Sequence, residues 1–167
     1  MTDLINYDIY IFDYEGTLSQ APNSKLTLKE LLYEFDFKNL NPNKKIYDFV
    51  NLIKEKKIYV VGIIECNKEI EQKQKWLKEY YPMIDERNVI FISGDYKKSE
   101  AILEIINKYN YDKKRIIFID DKTSHIYDVR QLGIRSVLVN DVNLNAGDMQ
   151  IEFDLFDCIY DSDGTSY

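Results

Sequence analysis

Short runs of β-branched and aromatic residues alternate with longer stretches whose apolar side chains recur every three or four positions. This alternation restricts the fold more than any other feature of the chain. The runs at 5–12, 57–64, 88–93, 115–119 and 134–139 read as strands. Between them the spacing predicts helices over 27–36, 42–56, 68–80, 99–109 and 124–132. Thr27 and Glu30 stand at capping-box spacing at the first helix start, and Gly133 is a C-cap signal after the last. Trp76 falls on an apolar stripe and reads as core. Short strands alternating with helices imply β-α-β units, hence an α/β, Rossmann-like fold with a central parallel sheet flanked by helices. The strands at 5–12 and 115–119 are expected side by side at the centre of five or slightly more strands, with 57–64 on the other side of the first. After Val139 the pattern decays: 140–150 reads as loop, 151–160 as a terminal strand and 161–164 as an acidic turn. The expected organisation is one domain over 1–167, with 140–167 as a C-terminal extension.

Composition narrows the function. With 22 Lys+Arg against 29 Asp+Glu, the net charge of −7 disfavours polymeric nucleic acid and anionic lipid as partners. It leaves a small phosphorylated molecule open, because a local cation, backbone N–H groups or a metal can hold a phosphate on an acidic protein. No apolar run is long enough for a membrane span, and no basic region precedes the first apolar stretch as in a signal peptide. Two cysteines cannot make a disulfide framework, and one histidine cannot make a histidine-rich metal site. A cytoplasmic location is the expectation, and homo-oligomer formation is left open.

Chemistry concentrates where two strands end. Asp13 and Glu15 follow the first strand, and Asp120 and Asp121 follow the fourth. Ligands of open α/β sheets bind beyond the carboxyl ends of the strands. Four carboxylates around one crevice repel one another unless protons or a cation offset their charge. An all-oxygen donor set suits Mg²⁺.

These residues carry a resemblance. The stretch Tyr10-Ile11-Phe12-Asp13-Tyr14-Glu15-Gly16-Thr17-Leu18 resembles the first motif of the haloacid dehalogenase-like (HAD) superfamily, an apolar strand followed by D-x-D-G-T. Ile116-Ile117-Phe118-Ile119-Asp120-Asp121 resembles the fourth motif, and Lys98, with Lys97 as runner-up, is placed for the third-motif lysine. The run over 58–92, including Lys73-Gln74-Lys75-Trp76-Leu77, is similar to small deoxyribonucleotidases and their phage and bacterial relatives. The resemblance implies a HAD fold without a large cap domain, only 19–45 being available to build a cover. It also implies an Mg²⁺-dependent phosphohydrolase acting on a small phosphomonoester, including nucleotides, through an aspartyl-phosphate. In that reading Asp13 is the nucleophile, Glu15 the proton carrier, and Lys98 or Lys97 the neutralising cation. Asp13, Glu15, Asp120 and Asp121 hold the metal, and Gly16, Thr17 and Gly62 line the binding loops.

Two departures from the pattern open an alternative, a catalytically impaired HAD-like binding or structural protein. Glu15 replaces the usual Asp. Aligning IYVVG puts Gly62 where the family carries Ser or Thr, and no Ser or Thr occurs over 58–83. Reversing at least one departure, by E15D or G62T, is expected to raise kcat/KM. Other features read blandly. The second D-x-D-G-T at Asp161 is an acidic turn and no EF-hand, His125 with Ser124 begins a helix, and Cys66 is a small apolar residue.

Overall fold

The computed structural model describes residues 4–22, 25–143 and 150–151. Five parallel strands form its centre: β1 (Ile9–Phe12), β2 (Lys57–Ile64), β3 (Val89–Ser93), β4 (Ile116–Asp120) and β5 (Arg135–Leu138), in the order β3-β2-β1-β4-β5. Phe12 pairs with Val60 on one side and Ile119 on the other, so β1 lies between β2 and β4 as expected.

The strands are apolar on both faces because both are covered. Tyr10, Phe12, Ile58, Val60, Ile117 and Ile119 face one core, which α2 (Lys44–Leu52) and α3 (Asn67–Tyr80) close with Phe49, Val50, Trp76 and Leu77. The alternate residues Ile9, Ile11, Tyr59, Val61, Ile116 and Phe118 face a second core. There α4 (Lys98–Tyr109) and α5 (Thr123–Arg130) supply Ile102, Ile105, Ile126 and Val129. Among the described residues, no helix is long and apolar enough to cross a membrane.

Several boundaries are narrower than the sequence suggests. The first strand covers half of 5–12: Leu4–Asn6 is a 3₁₀ turn, folded back so that the Tyr10 hydroxyl donates to Leu4 O at 2.8 Å. Asp8 stays outside the strand, in ion pairs with Lys56 at 3.7 Å and with Arg115. The predicted Thr27–Glu30 capping box is present, but α1 is only Leu28–Tyr33. Asp36 then caps a 3₁₀ turn, Phe37–Asn39, accepting from Lys38 N–H at 3.0 Å. Gly133 takes φ +80° after α5. The expected loop at 140–150 instead begins with a 3₁₀ turn, Val139–Asp141, and β6 (Val142–Asn143) pairs antiparallel with β7 (Gln150–Ile151). The rest of the expected terminal strand, Cys158 and the second D-x-D-G-T lie outside the described residues.

Residues between β1 and α2 make a small cover. Phe37 N–H donates to Gln72 Oε1 at 3.4 Å, and the Trp76 indole N–H donates to Leu40 O at 2.8 Å. Trp76 is buried, as its stripe position predicts, and it also ties this cover to α3.

Candidate active site

Parallel pairing brings the ends of β1 and β4 together. Asp13 donates its backbone N–H to Ile119 O at 2.9 Å, and Asp120 is the last residue of β4. One carboxylate oxygen each from Asp13, Asp120 and Asp121 lie within 4.8 Å of one another. Asp13 and Asp120 are buried, and the Lys98 ammonium reaches both, pairing with Asp13 Oδ1 and with Asp120 Oδ2 at 2.7 Å. Lys98 opens α4 and is itself buried, whereas Lys97 is the N-cap and is exposed. Of the two lysines, it is Lys98 whose ammonium reaches the carboxylates.

Smaller groups set the loop. Thr17, fully buried, donates from its hydroxyl to Asp13 Oδ2 at 3.1 Å. Gly16 has φ +78°, and a Cβ there would overlap Asp121 Oδ2. Glycine is required at that position on both counts.

The charges are unevenly satisfied. Burial pushes the Asp13 carboxyl up and the Asp120 charge adds to this, while Lys98 and Thr17 pull the other way. Burial would raise Asp120 too, but the His125 hydrogen bond and the Lys98 charge hold it at about 2. Asp121 is less well supported: burial and the charges of Asp13 and Asp120 raise it to about 7, against a smaller opposing pull from Lys122. Its Oδ1 is buried with no hydrogen-bond partner among the described residues. Three hard oxygen donors, one with an unsatisfied lone pair, fit a hard divalent cation.

Glu15 is placed differently from the metal-ligand role expected of it. It is not in the three-carboxylate group; its Oε1 pairs with the Lys73 ammonium, which also donates to Glu69 Oε2 at 2.9 Å and Ile63 O at 3.0 Å. Glu15 still lines the same cavity as Asp13 and Lys98, a space of about 130 Å³ bounded also by Leu31, Phe37, Glu65 and His125. Burial raises the Glu15 carboxyl, while Lys73 opposes the rise.

Gly62 does not line this cavity. A Cβ there would sit 3.2 Å from the Phe91 ring and 3.2 Å from Tyr14 Cβ, so Gly62 leaves room for the Phe91 ring and the base of the Tyr14 side chain. The wall after β2 is formed by Ile63 and Glu65 instead. A larger side chain at Gly62 would crowd Phe91 and Tyr14 rather than enter the cavity.

Two contributors are missed by the sequence reading. His125, in the first turn of α5, makes a hydrogen bond between Nδ1 and Asp120 Oδ2 at 2.9 Å. Lys73 enters the site from α3. Its signal is a Glu69–Lys73 pair one turn apart on the stripe that carries Trp76 and Leu77.

Comparison with solved structures bears on the fold. A haloacid dehalogenase-like family hydrolase from Streptococcus pneumoniae superposes with a TM-score of 0.57 at 13% identity, covering 81% of this chain and 85% of that one. A second hydrolase from the same organism gives 0.54 at 14% identity, over 78% and 91% of the two chains. The N-terminal part of a Bacteroides fragilis protein, containing a phosphatase domain and complexed with Mg, gives 0.55 at 16% identity. It covers 86% of this chain but 38% of the Bacteroides chain. At such identities the likeness is one of fold: the five-stranded α/β architecture is HAD-like, with no large cap among the described residues. No curated protein matches the sequence. A family model does match, over residues 17–144, and by that match the chain belongs to the family described as protein of unknown function, DUF2608.

Proposed function

We propose that the protein is a Mg²⁺-dependent phosphohydrolase acting on a small phosphomonoester. The observation that carries this reading is the convergence of Asp13, Lys98, Asp120 and Asp121 at the carboxyl edge of a HAD-like sheet. Asp13 is the nucleophile. One of its carboxylate oxygens forms a bond to phosphorus as the ester P–O bond breaks, and the leaving oxygen takes a proton from Glu15. Glu15 then accepts a proton from the water that attacks the aspartyl-phosphate, releasing inorganic phosphate and restoring Asp13. The raised Glu15 carboxyl supports the first role, because a general acid must hold its proton until the leaving oxygen needs it.

Asp13, Asp120 and Asp121 would hold the magnesium ion, which supplies positive charge to the phosphoryl oxygens when bound. Lys98 neutralises Asp13 and the incoming phosphate. Thr17 fixes the Asp13 rotamer, and His125 with Lys98 keeps Asp120 ionised. A cavity of about 130 Å³ lined by Leu31 and Phe37 supports a small substrate.

One observation favours a second reading, a binding module without turnover: no Ser or Thr side chain occurs over 58–83 to hold a phosphoryl oxygen beside β2. A panel of deoxynucleoside monophosphates, sugar phosphates and an aryl phosphate, assayed with and without Mg²⁺, separates the two. Hydrolysis that requires Mg²⁺ and disappears in D13N supports the phosphohydrolase. Saturable phosphate-ester binding with no hydrolysis by folded wild type supports the binding module.

A further inference from the structure

Lys73 is fully buried, and all three of its ammonium donors are used, on Glu15 Oε1, Glu69 Oε2 and Ile63 O. The ammonium also lies 4.5 Å from the centroid of the Phe37 ring and 5.2 Å from that of Tyr14. A lysine in such a place is costly unless its partners are fixed. They are: Glu69 is one helical turn away on α3, and its other oxygen accepts the Glu65 N–H at 3.2 Å, tying the chain after β2 to the same cluster. Phe37 carries the link to the cover, since it lines the cavity and packs on Lys73. Stability alone does not account for this arrangement, because two carboxylates would be removed along with one lysine in an apolar replacement that is often neutral or better.

We propose that Lys73, itself held by Glu69, is a positioning residue for the proton carrier: it occupies Oε1 of Glu15 and leaves Oε2 for the leaving-group oxygen of the substrate. The longer Glu in place of Asp then has a reason. Its extra methylene lets one oxygen reach the lysine on α3 while the side chain still lines the cavity with Asp13. This inference rests on the phosphohydrolase reading and adds to it a residue outside the four superfamily motifs.

The test exploits leaving-group chemistry. An aryl oxygen such as p-nitrophenolate departs with little proton help, whereas an alkyl oxygen needs it, so a misplaced general acid hurts alkyl esters selectively. Rates with ethyl phosphate and p-nitrophenyl phosphate are measured for wild type, D13N, E15Q and E69Q, for K73M built into E69Q, and for K73M built into E15Q/E69Q. The E69Q background leaves only half-exposed Glu15 without its partner. K73M is expected to lower kcat for ethyl phosphate by about 10²-fold and for p-nitrophenyl phosphate by less than about 5-fold, with KM little changed. In the background that already lacks the Glu15 carboxyl, K73M is expected to add no further loss. Equal losses on the two substrates, additivity with E15Q, or absence of a cooperative melting transition in E69Q/K73M would each overturn the positioning role. If wild type turns over and D13N does not but the split is missing, this inference alone falls. Wild type that hydrolyses neither ester removes the phosphohydrolase reading and the inference together.

Discussion

Lys98 and Lys73 are both buried, each is shared by two carboxylates, and they flank the same β1 loop from opposite sides. Their partners differ in a way that matters. Lys98 bridges Asp13 and Asp120, which belong to the three-carboxylate cluster where a divalent cation fits. Lys73 bridges Glu15 and Glu69, which do not. A cation can therefore take over part of what Lys98 does for its neighbours, and none of what Lys73 does. The loop residues Asp13 and Glu15, two positions apart, are held by independent charges.

Truncating either lysine gives the largest expected effect. K98M takes the one cation from buried Asp13 and Asp120, and K73M takes it from buried Glu69 and half-exposed Glu15, each at a cost of about 3–5 kcal/mol in urea unfolding. Excess Mg²⁺ should recover a large part of the K98M loss and little of the K73M loss, beyond the gain it gives wild type. Equal recovery would break the comparison. G16A should cost about 3 kcal/mol, because alanine meets a positive φ and overlaps Asp121, and it should also weaken the Mg²⁺-dependent rise in Tm. An unchanged Mg²⁺ response in folded G16A would separate Asp121 from the metal. G62T should cost about 2 kcal/mol through crowding against Phe91 and Tyr14, with no gain in turnover. Increased kcat/KM in G62T would restore Gly62 to the site. T17V, which removes one hydrogen bond to Asp13, should cost about 1 kcal/mol and lower kcat more than it raises KM.

The same contrast shows what a sequence can reveal. The sheet is legible because strands buried on both faces must be apolar throughout, and Ile116–Asp120 ends in carboxylates where such a strand meets a ligand. Asp13, Asp120 and Asp121 follow from that rule, whereas Lys98 comes only from the resemblance to the third motif. Lys73 is harder to read because its meaning depends on which face of α3 is inward. It stands three residues before Trp76 and four before Leu77, so the charged Glu69–Lys73 pair lies on the buried stripe, a conflict between pattern and polarity of the kind found at functional or strained sites. Gly62 fails for the opposite reason: strand alignment alone does not show that Tyr14 and Phe91 close over it. The start of β1 is misjudged because β-branched composition says nothing of the Tyr10–Leu4 hydrogen bond that turns the chain away.

The account stands on covalent chemistry at Asp13, and this can be observed directly. Wild type and D13N are mixed with Mg²⁺ and p-nitrophenyl phosphate, quenched in acid within the turnover time, digested and weighed peptide by peptide. The expected result is one added phosphoryl group on the wild-type peptide containing Asp13, lost on incubation at neutral pH and absent from D13N. Steady hydrolysis by wild type with no label on that peptide, or hydrolysis by D13N at the wild-type rate, would contradict it.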